Sequence, residues 1–177
     1  MSILPRVRLD QKMIQYRWLL APVFAVACLL LAPVQSAVAQ PYDDTEARNL
    51  ATVRAGFDAW RNGTGSPYDA LADDATWEIV GNSLAARVYP DKEDFVANVI
   101  RPFNARMAAP LRPTIRDIYA DGDTVIVFFD AEGIARDGVP YRNTYMWFLT
   151  LRDNRIVNAS AFFDSIAFND LWQRVPA

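Results

Sequence analysis

Thr114-Ile-Arg-Asp-Ile-Tyr-Ala-Asp-Gly-Asp-Thr-Val-Ile-Val-Phe-Phe-Asp-Ala-Glu132 reads as two β-strands closed by one turn. Apolar residues recur there at a spacing of two, and Ala120-Asp-Gly-Asp123 supplies the backbone freedom that a tight reversal needs. The pattern repeats downstream, with Ala135-Arg-Asp-Gly138 and Arg152-Asp-Asn154 as the next connectors. Four strands are therefore expected, Thr114–Tyr119, Thr124–Glu132, Tyr141–Leu151 and Arg155–Asp164, joined as consecutive antiparallel hairpins.

Upstream of Ala108-Ala-Pro110 the period is helical. Leu50, Val53, Phe57 and Trp60 recur at helix spacing after an N-cap at Thr45, and Asn62-Gly-Thr-Gly-Ser-Pro67 ends that helix. A turn of helix at Tyr68–Ala72 leads into a strand, Ala75–Val80. Asp91 opens another helix with Phe95, Val96, Val99, Ile100 and Phe103 on its apolar face, and Ile166–Val175 closes the chain as a short helix. Helices first and a meander after them imply an α+β domain, helices packed on one face of a curved antiparallel sheet.

Residues 1–39 read as an export signal. Arg6, Arg8, Lys12 and Arg17 precede an uncharged apolar run, Trp18–Val34, and Ala37-Val-Ala39 is a small-residue cleavage site. Pro22 and Pro33 interrupt the run, which falls short of the ~20 residues that span a bilayer comfortably. The expectation is a secreted or periplasmic protein with no permanent membrane anchor, and a single domain over residues 40–177. The only cysteine, Cys28, leaves with the signal, so no disulfide or thiol chemistry is expected in that domain.

The chain has no histidine, which excludes Ser-His-Asp and Cys-His catalysis and histidine metal sites. Lys92 is the only lysine after the signal, so acid/base work would fall to carboxylates. With 18 basic against 21 acidic residues and scattered arginines, nucleic acid is not an expected partner.

Three stretches carry a family resemblance: Leu71-Ala-Asp-Asp-Ala-Thr-Trp77, Tyr119-Ala-Asp-Gly-Asp-Thr-Val125, and Asp137-Gly-Val-Pro-Tyr-Arg-Asn-Thr-Tyr145 continuing through Arg155-Ile156 to Phe162-Phe-Asp164. In that order and spacing they resemble the SnoaL-like proteins of the nuclear transport factor 2-like superfamily, relatives of ketosteroid isomerase and limonene epoxide hydrolase. The resemblance implies a cone-shaped fold, a mostly apolar pocket for a small hydrophobic molecule, no cofactor and frequent homodimers.

Strand alternation puts Phe128, Asp130 and Glu132 on one face, Asn143, Tyr145 and Trp147 on one face of the next strand, and Phe162 with Asp164 on the last. The resemblance to limonene epoxide hydrolase assigns these faces to the cavity and places Asp130 and Asp164 where that enzyme carries its catalytic aspartates. Two carboxylates in an apolar cavity can divide into an acid and a base. The enzyme's intervening arginine corresponds to Phe128, and its water-holding Tyr and Asn to Trp77 and Ile79. Of the ketosteroid isomerase residues, the base corresponds to Ile79, the oxyanion-site aspartate falls near Trp147 and the tyrosine near Gly56.

Two readings follow. In one, Asp130 and Asp164 transfer protons on a hydrophobic substrate, with Tyr145 as hydrogen-bond donor and Trp77, Ile79, Phe128, Glu132, Asn143, Trp147 and Phe162 around the ligand. In the other, the protein binds an apolar ligand without chemistry. Asp164 then caps the last helix, Asp130 pairs with an arginine such as Arg87 or Arg142, and Glu132 is solvated. An open sheet face serving as a dimer interface is compatible with both.

Overall fold

The structure is a computed structural model that describes residues 42–177. The export signal read at residues 1–39 lies outside the described residues.

Helix α1 spans Asp44–Asn62. Its cap is Asp43 rather than Thr45: the Asp43 carboxylate accepts from the Glu46 N–H at 2.8 Å, and the Glu46 side chain accepts from the Asp43 N–H at 2.9 Å. This reciprocal pair satisfies two otherwise unpaired donors, which a lone Thr45 hydroxyl could not do. Gly63 ends the helix at φ 74°, and a side chain there would also meet the Arg112 guanidinium 3.0 Å from its Cβ.

After a single 3₁₀ turn, Pro67–Ala70, strand β1 runs Leu71–Ile79 and β2 is the two-residue Val88–Tyr89. Asp91 caps α2, Lys92–Phe95, as expected from the sequence. The helix then widens into a π-type turn, Val96–Ile100, before α3, Arg101–Ala105. Pro102 explains the widening. It has no N–H to donate back along the helix, and its ring crowds the carbonyl four residues earlier.

The remaining strands are β3 (Met107–Asp121), β4 (Thr124–Ala135), β5 (Pro140–Arg152) and β6 (Arg155–Phe163), followed by α4 (Ser165–Arg174). They form one six-stranded curved, unclosed sheet in the order β2-β1-β6-β5-β4-β3. The hairpins of the meander are antiparallel, whereas β1 adds to β6 in parallel, with Trp77 opposite Ala159 and Ile79 opposite Ala161. Strand β3 begins at Met107 rather than Thr114 and runs through Pro110 and Pro113. An edge strand tolerates prolines, because half of its donors have no partner to lose.

Register decides what faces inward. Phe129 lies opposite Tyr145, and Tyr145 opposite Phe163, so these three rings share the buried face. Phe128, Met146 and Phe162 form the adjacent row and share the outer face. On that outer face Phe162 is 56% exposed and Phe148 42%. Helix α1 closes the inner face by inserting Phe57 against Phe129 (ring centroids 4.8 Å apart) and Trp147 (5.6 Å).

Candidate functional site

Between the helices and the inner face of the sheet lies a cavity of about 410 Å³, a size that suits a small molecule. Trp60 and Tyr68 wall it from the end of α1 and the following turn, Phe95, Val99, Ile100 and Phe103 from the helical segment, and Trp77 and Ile79 from β1. Tyr145 and Trp147 form its floor with Ala161 and Phe163, and Phe168 of α4 contributes at one side. The space exists because Ala161 stands in register between Ile79 and Trp147, where a larger side chain would fill it.

The wall is aromatic and interlocked. Trp60 stacks on Trp147 at 6.0 Å, Trp77 stacks on Phe95 at 4.3 Å, and Trp77 meets Trp147 edge-to-face at 5.1 Å. The polar residues along it are few: Tyr68 and Tyr145, with Ser66, Asn104 and Arg112, beside the tryptophan indoles, of which Trp77 Nε1 is buried without a hydrogen-bond partner. Arg112 donates to the carbonyls of Trp60 and Arg61, so its guanidinium caps the C-terminus of α1. Among the described residues, no aspartate, glutamate or lysine lines the cavity. Among the described residues, no three acidic or thiol side chains gather as a metal site would require.

Tyr145 belongs to a buried network. Its hydroxyl is 2.9 Å from that of Tyr141, and the Asn143 amide donates to Tyr141 Oη at 2.8 Å. The same amide donates to the Asp164 carbonyl at 3.0 Å, while Asn143 Oδ1 accepts from the N–H groups of Asp164 (3.0 Å) and Thr144 (2.8 Å). Burial pushes the Tyr145 phenol well above its ordinary range and raises Tyr141 and Tyr68 as well. All three therefore stay protonated in the neutral range and act as donors, not bases.

The sequence-derived set divides along the sheet. Trp77, Ile79, Tyr145 and Trp147 line the cavity; Asn143 does not line it and is buried, engaged by Tyr141 and the residue before α4. Phe128, Asp130, Glu132, Phe162 and Asp164 do not line it. Asp130 and Glu132 instead border a second, open hollow with Asn143 and Asp164 from the sequence-derived set, beside Arg112, Arg142 and Thr144. The expected face is thus reversed on β4 and β6. Ile126-Val-Phe-Phe129 and Phe162-Phe163 are apolar at successive positions, and inward residues there are Val127, Phe129 and Phe163.

Each misplaced carboxylate has a structural partner. Asp164 caps α4, its Oδ1 accepting from the Ile166 N–H at 2.8 Å. Glu132 accepts from Arg142 at 3.2 Å on the surface. Asp130 pairs with neither Arg87 nor Arg142. It accepts from Thr144 Oγ1 at 2.7 Å and from Arg116 Nε at 2.6 Å. A register shift between Ile115 and Asp117 leaves Arg116 outside the β3–β4 pairing and free to reach it. Arg87 is engaged by Asp94 at 2.7 Å.

The Thr144 hydroxyl, helped by Arg116, holds the Asp130 carboxyl below the ordinary carboxylate range. The stability this adds is present above the unfolded value near ~3.9 and is lost as pH falls through the lower folded value. Because the pair is exposed, it amounts to no more than about 1 kcal/mol. Carboxyl-resolved NMR titration is expected to find Asp130 below a free aspartate; a value above it would instead mark a desolvated acid and reopen a catalytic role.

Tyr68 and Tyr141 were not among the site residues read from the sequence, and Phe95 and Phe103 were read only as the apolar face of their helix. Tyr141 was within reach, since it shares the alternation of Asn143 and Tyr145 along one strand face. Tyr68 was not, because a single helical turn is too short to show which way its side chains face.

The SnoaL-like domain family model matches residues 47–159. No curated protein matches the sequence. Among solved structures, Bal32a from a soil-derived mobile gene cassette superposes with a TM-score of 0.61 at 19% identity, covering 73% of this chain and 99% of its own. A candidate SnoaL-like polyketide cyclase from Jannaschia sp. CCS1 gives 0.59 at 19% identity, covering 77% and 99%. An LEH-like epoxide hydrolase from M. tuberculosis gives 0.52 at 18% identity, covering 73% and 92%. These structures share the fold, and the match over most of the described domain carries the assignment: this chain belongs to the SnoaL-like domain family.

Proposed function

We propose that this domain binds a small, largely apolar molecule in the cavity between its helices and sheet, and holds it without acid/base chemistry on carboxylates. The observation that carries this reading is the composition of the wall: stacked aromatic rings, two tyrosines and, among the described residues, no carboxylate. A paired-aspartate mechanism would need Asp130 and Asp164 to share the cavity, and both are engaged elsewhere, by Thr144 and Arg116 and by the start of α4. The tyrosines that do face the ligand are too weakly acidic to serve as bases.

The test uses 1-anilinonaphthalene-8-sulfonate, whose emission rises in apolar sites. The wild-type domain is expected to bind the dye, and Ala161→Phe to weaken binding by about tenfold or more by filling the floor of the cavity. Circular dichroism melting confirms that the variant folds. Dye binding that is unchanged in Ala161→Phe and lost in Phe148→Ser/Phe162→Ser would place the dye on the outer face and sink the cavity reading.

A further inference from the structure

The cavity has a wet end and a dry end. Among its lining residues, Gly63, Asn104, Ala108, Pro110 and Arg112 are exposed. They come from the cap of α1 and from the stretch that runs out of α3 into β3, so the mouth lies there. Trp77, Ile79, Phe95, Trp147 and Ala161 are buried and form the deep end. Arg112 is the one charged residue of the lining, and it stands at the mouth.

Its guanidinium is seated at that rim. Nη1 donates to the carbonyls of Trp60 and Arg61, and Nη1 and Nη2 lie 3.0 and 3.2 Å from where a Cβ on Gly63 would stand. Trp60 and Gly63 both line the cavity. Capping α1 uses Nη1 alone. The edge formed by Nε–H and Nη2–H makes no hydrogen bond among the described residues, and Arg112 forms no ion pair there. Glu132 is its cross-strand neighbour but accepts from Arg142 instead. Two parallel N–H groups on one edge match the two oxygens of a carboxylate. Resting on the binding function proposed above, we infer that Arg112 is a specificity-determining residue of the cavity and that its ligand is an apolar molecule ending in a carboxylate. The apolar body lies among the rings and the carboxylate meets Arg112 at the mouth. There it keeps part of its hydration, so the pairing escapes most of the desolvation cost of a buried ion.

Naphthalene-2-acetate and naphthalene-2-acetamide have nearly the same shape and differ in charge. Each is titrated against bound N-phenyl-1-naphthylamine, a neutral dye whose own binding does not call on Arg112. The wild-type domain is expected to prefer the carboxylate by roughly 3- to 10-fold at low salt, the effect of one partly solvated charge-assisted pair. Added sodium chloride should reduce that preference by screening. Arg112→Gln is expected to abolish both the preference and its salt dependence while the dye and the amide bind much as before. Arg112→Lys should retain part of the preference, since it keeps the charge and loses the fork. Arg142→Gln removes an equal charge from a residue that does not line the cavity and should leave the preference intact. A preference that survives in Arg112→Gln, or that falls as far in Arg142→Gln, overturns the inference. So does an Arg112→Gln variant that binds all three molecules more weakly by the same factor, because Arg112 would then act only by holding the end of α1. If both probes displace the dye equally from the wild type, the cavity still binds and the role of Arg112 alone falls. If the dye binds wild type and Ala161→Phe alike, the binding function fails and the role of Arg112 falls with it.

Discussion

Phe57→Ala is expected to destabilise the domain by about 3–5 kcal/mol. That is a large share of the roughly 5–15 kcal/mol that holds a domain folded. Phe57 is completely buried and joins the layers of the fold. From α1 it reaches Phe129 on β4, Trp147 on β5 and Trp60 one turn further along its own helix. Removing the ring leaves a void beneath Trp147, whose partners Trp60 and Trp77 form the cavity wall and cannot all move in to fill it. Phe57→Leu should retain most of the stability, because it keeps much of the volume. Urea denaturation of the three proteins measures this directly. A loss below about 1 kcal/mol for Phe57→Ala would mean that α1 is held by Leu50 and Val53 rather than through this ring.

The same packing shows what a reader of the sequence could and could not see. Element types were legible wherever the period was clean: the apolar face of α1, the Asp91 cap, and the hairpins after Asp-Gly and Asp-Asn turns. The sheet's inner face was legible on β5, where Tyr141, Asn143, Tyr145 and Trp147 alternate with Arg142, Thr144 and Met146. It was illegible on β4 and β6, where Phe128-Phe129 and Phe162-Phe163 offer an aromatic residue to each side. A slip of one residue exchanges the two faces, and only the pairing of Tyr145 with Phe129 on one side and Phe163 on the other resolves it. Asp130 and Asp164 went to the wrong side with their strands. The parallel addition of β1 to β6 was hidden for another reason: the two strands lie far apart in sequence, and nothing local signals their pairing.

Asn143→Ala should cost about 3 kcal/mol, and the damage should be local before it is global. Asn143 is 6% exposed and ties β5 to Asp164, the residue that caps α4, through both its side-chain oxygen and nitrogen. Alanine leaves the Asp164 N–H without this partner, and a buried polar group left unpaired costs about 1–3 kcal/mol, while the Asp164 carbonyl keeps the Phe168 N–H at 3.3 Å. The Tyr141 hydroxyl loses its donor as well. Helix α4 carries Phe168, which packs on Phe163 at 4.9 Å and closes one side of the cavity. Loosening the Asp164 tether should therefore weaken dye binding along with stability, although Asn143 does not itself line the cavity. Native-state amide exchange separates the two effects. The amides of Asp164 and Phe168 are expected to exchange faster in Asn143→Ala by more than the global loss explains, whereas Phe57→Ala should accelerate them only in step with global unfolding. If exchange at Asp164 in Asn143→Ala merely follows the global change, the tether carries little energy. The seam between β5 and α4 would then be held by the Phe163, Phe168 and Phe103 rings alone.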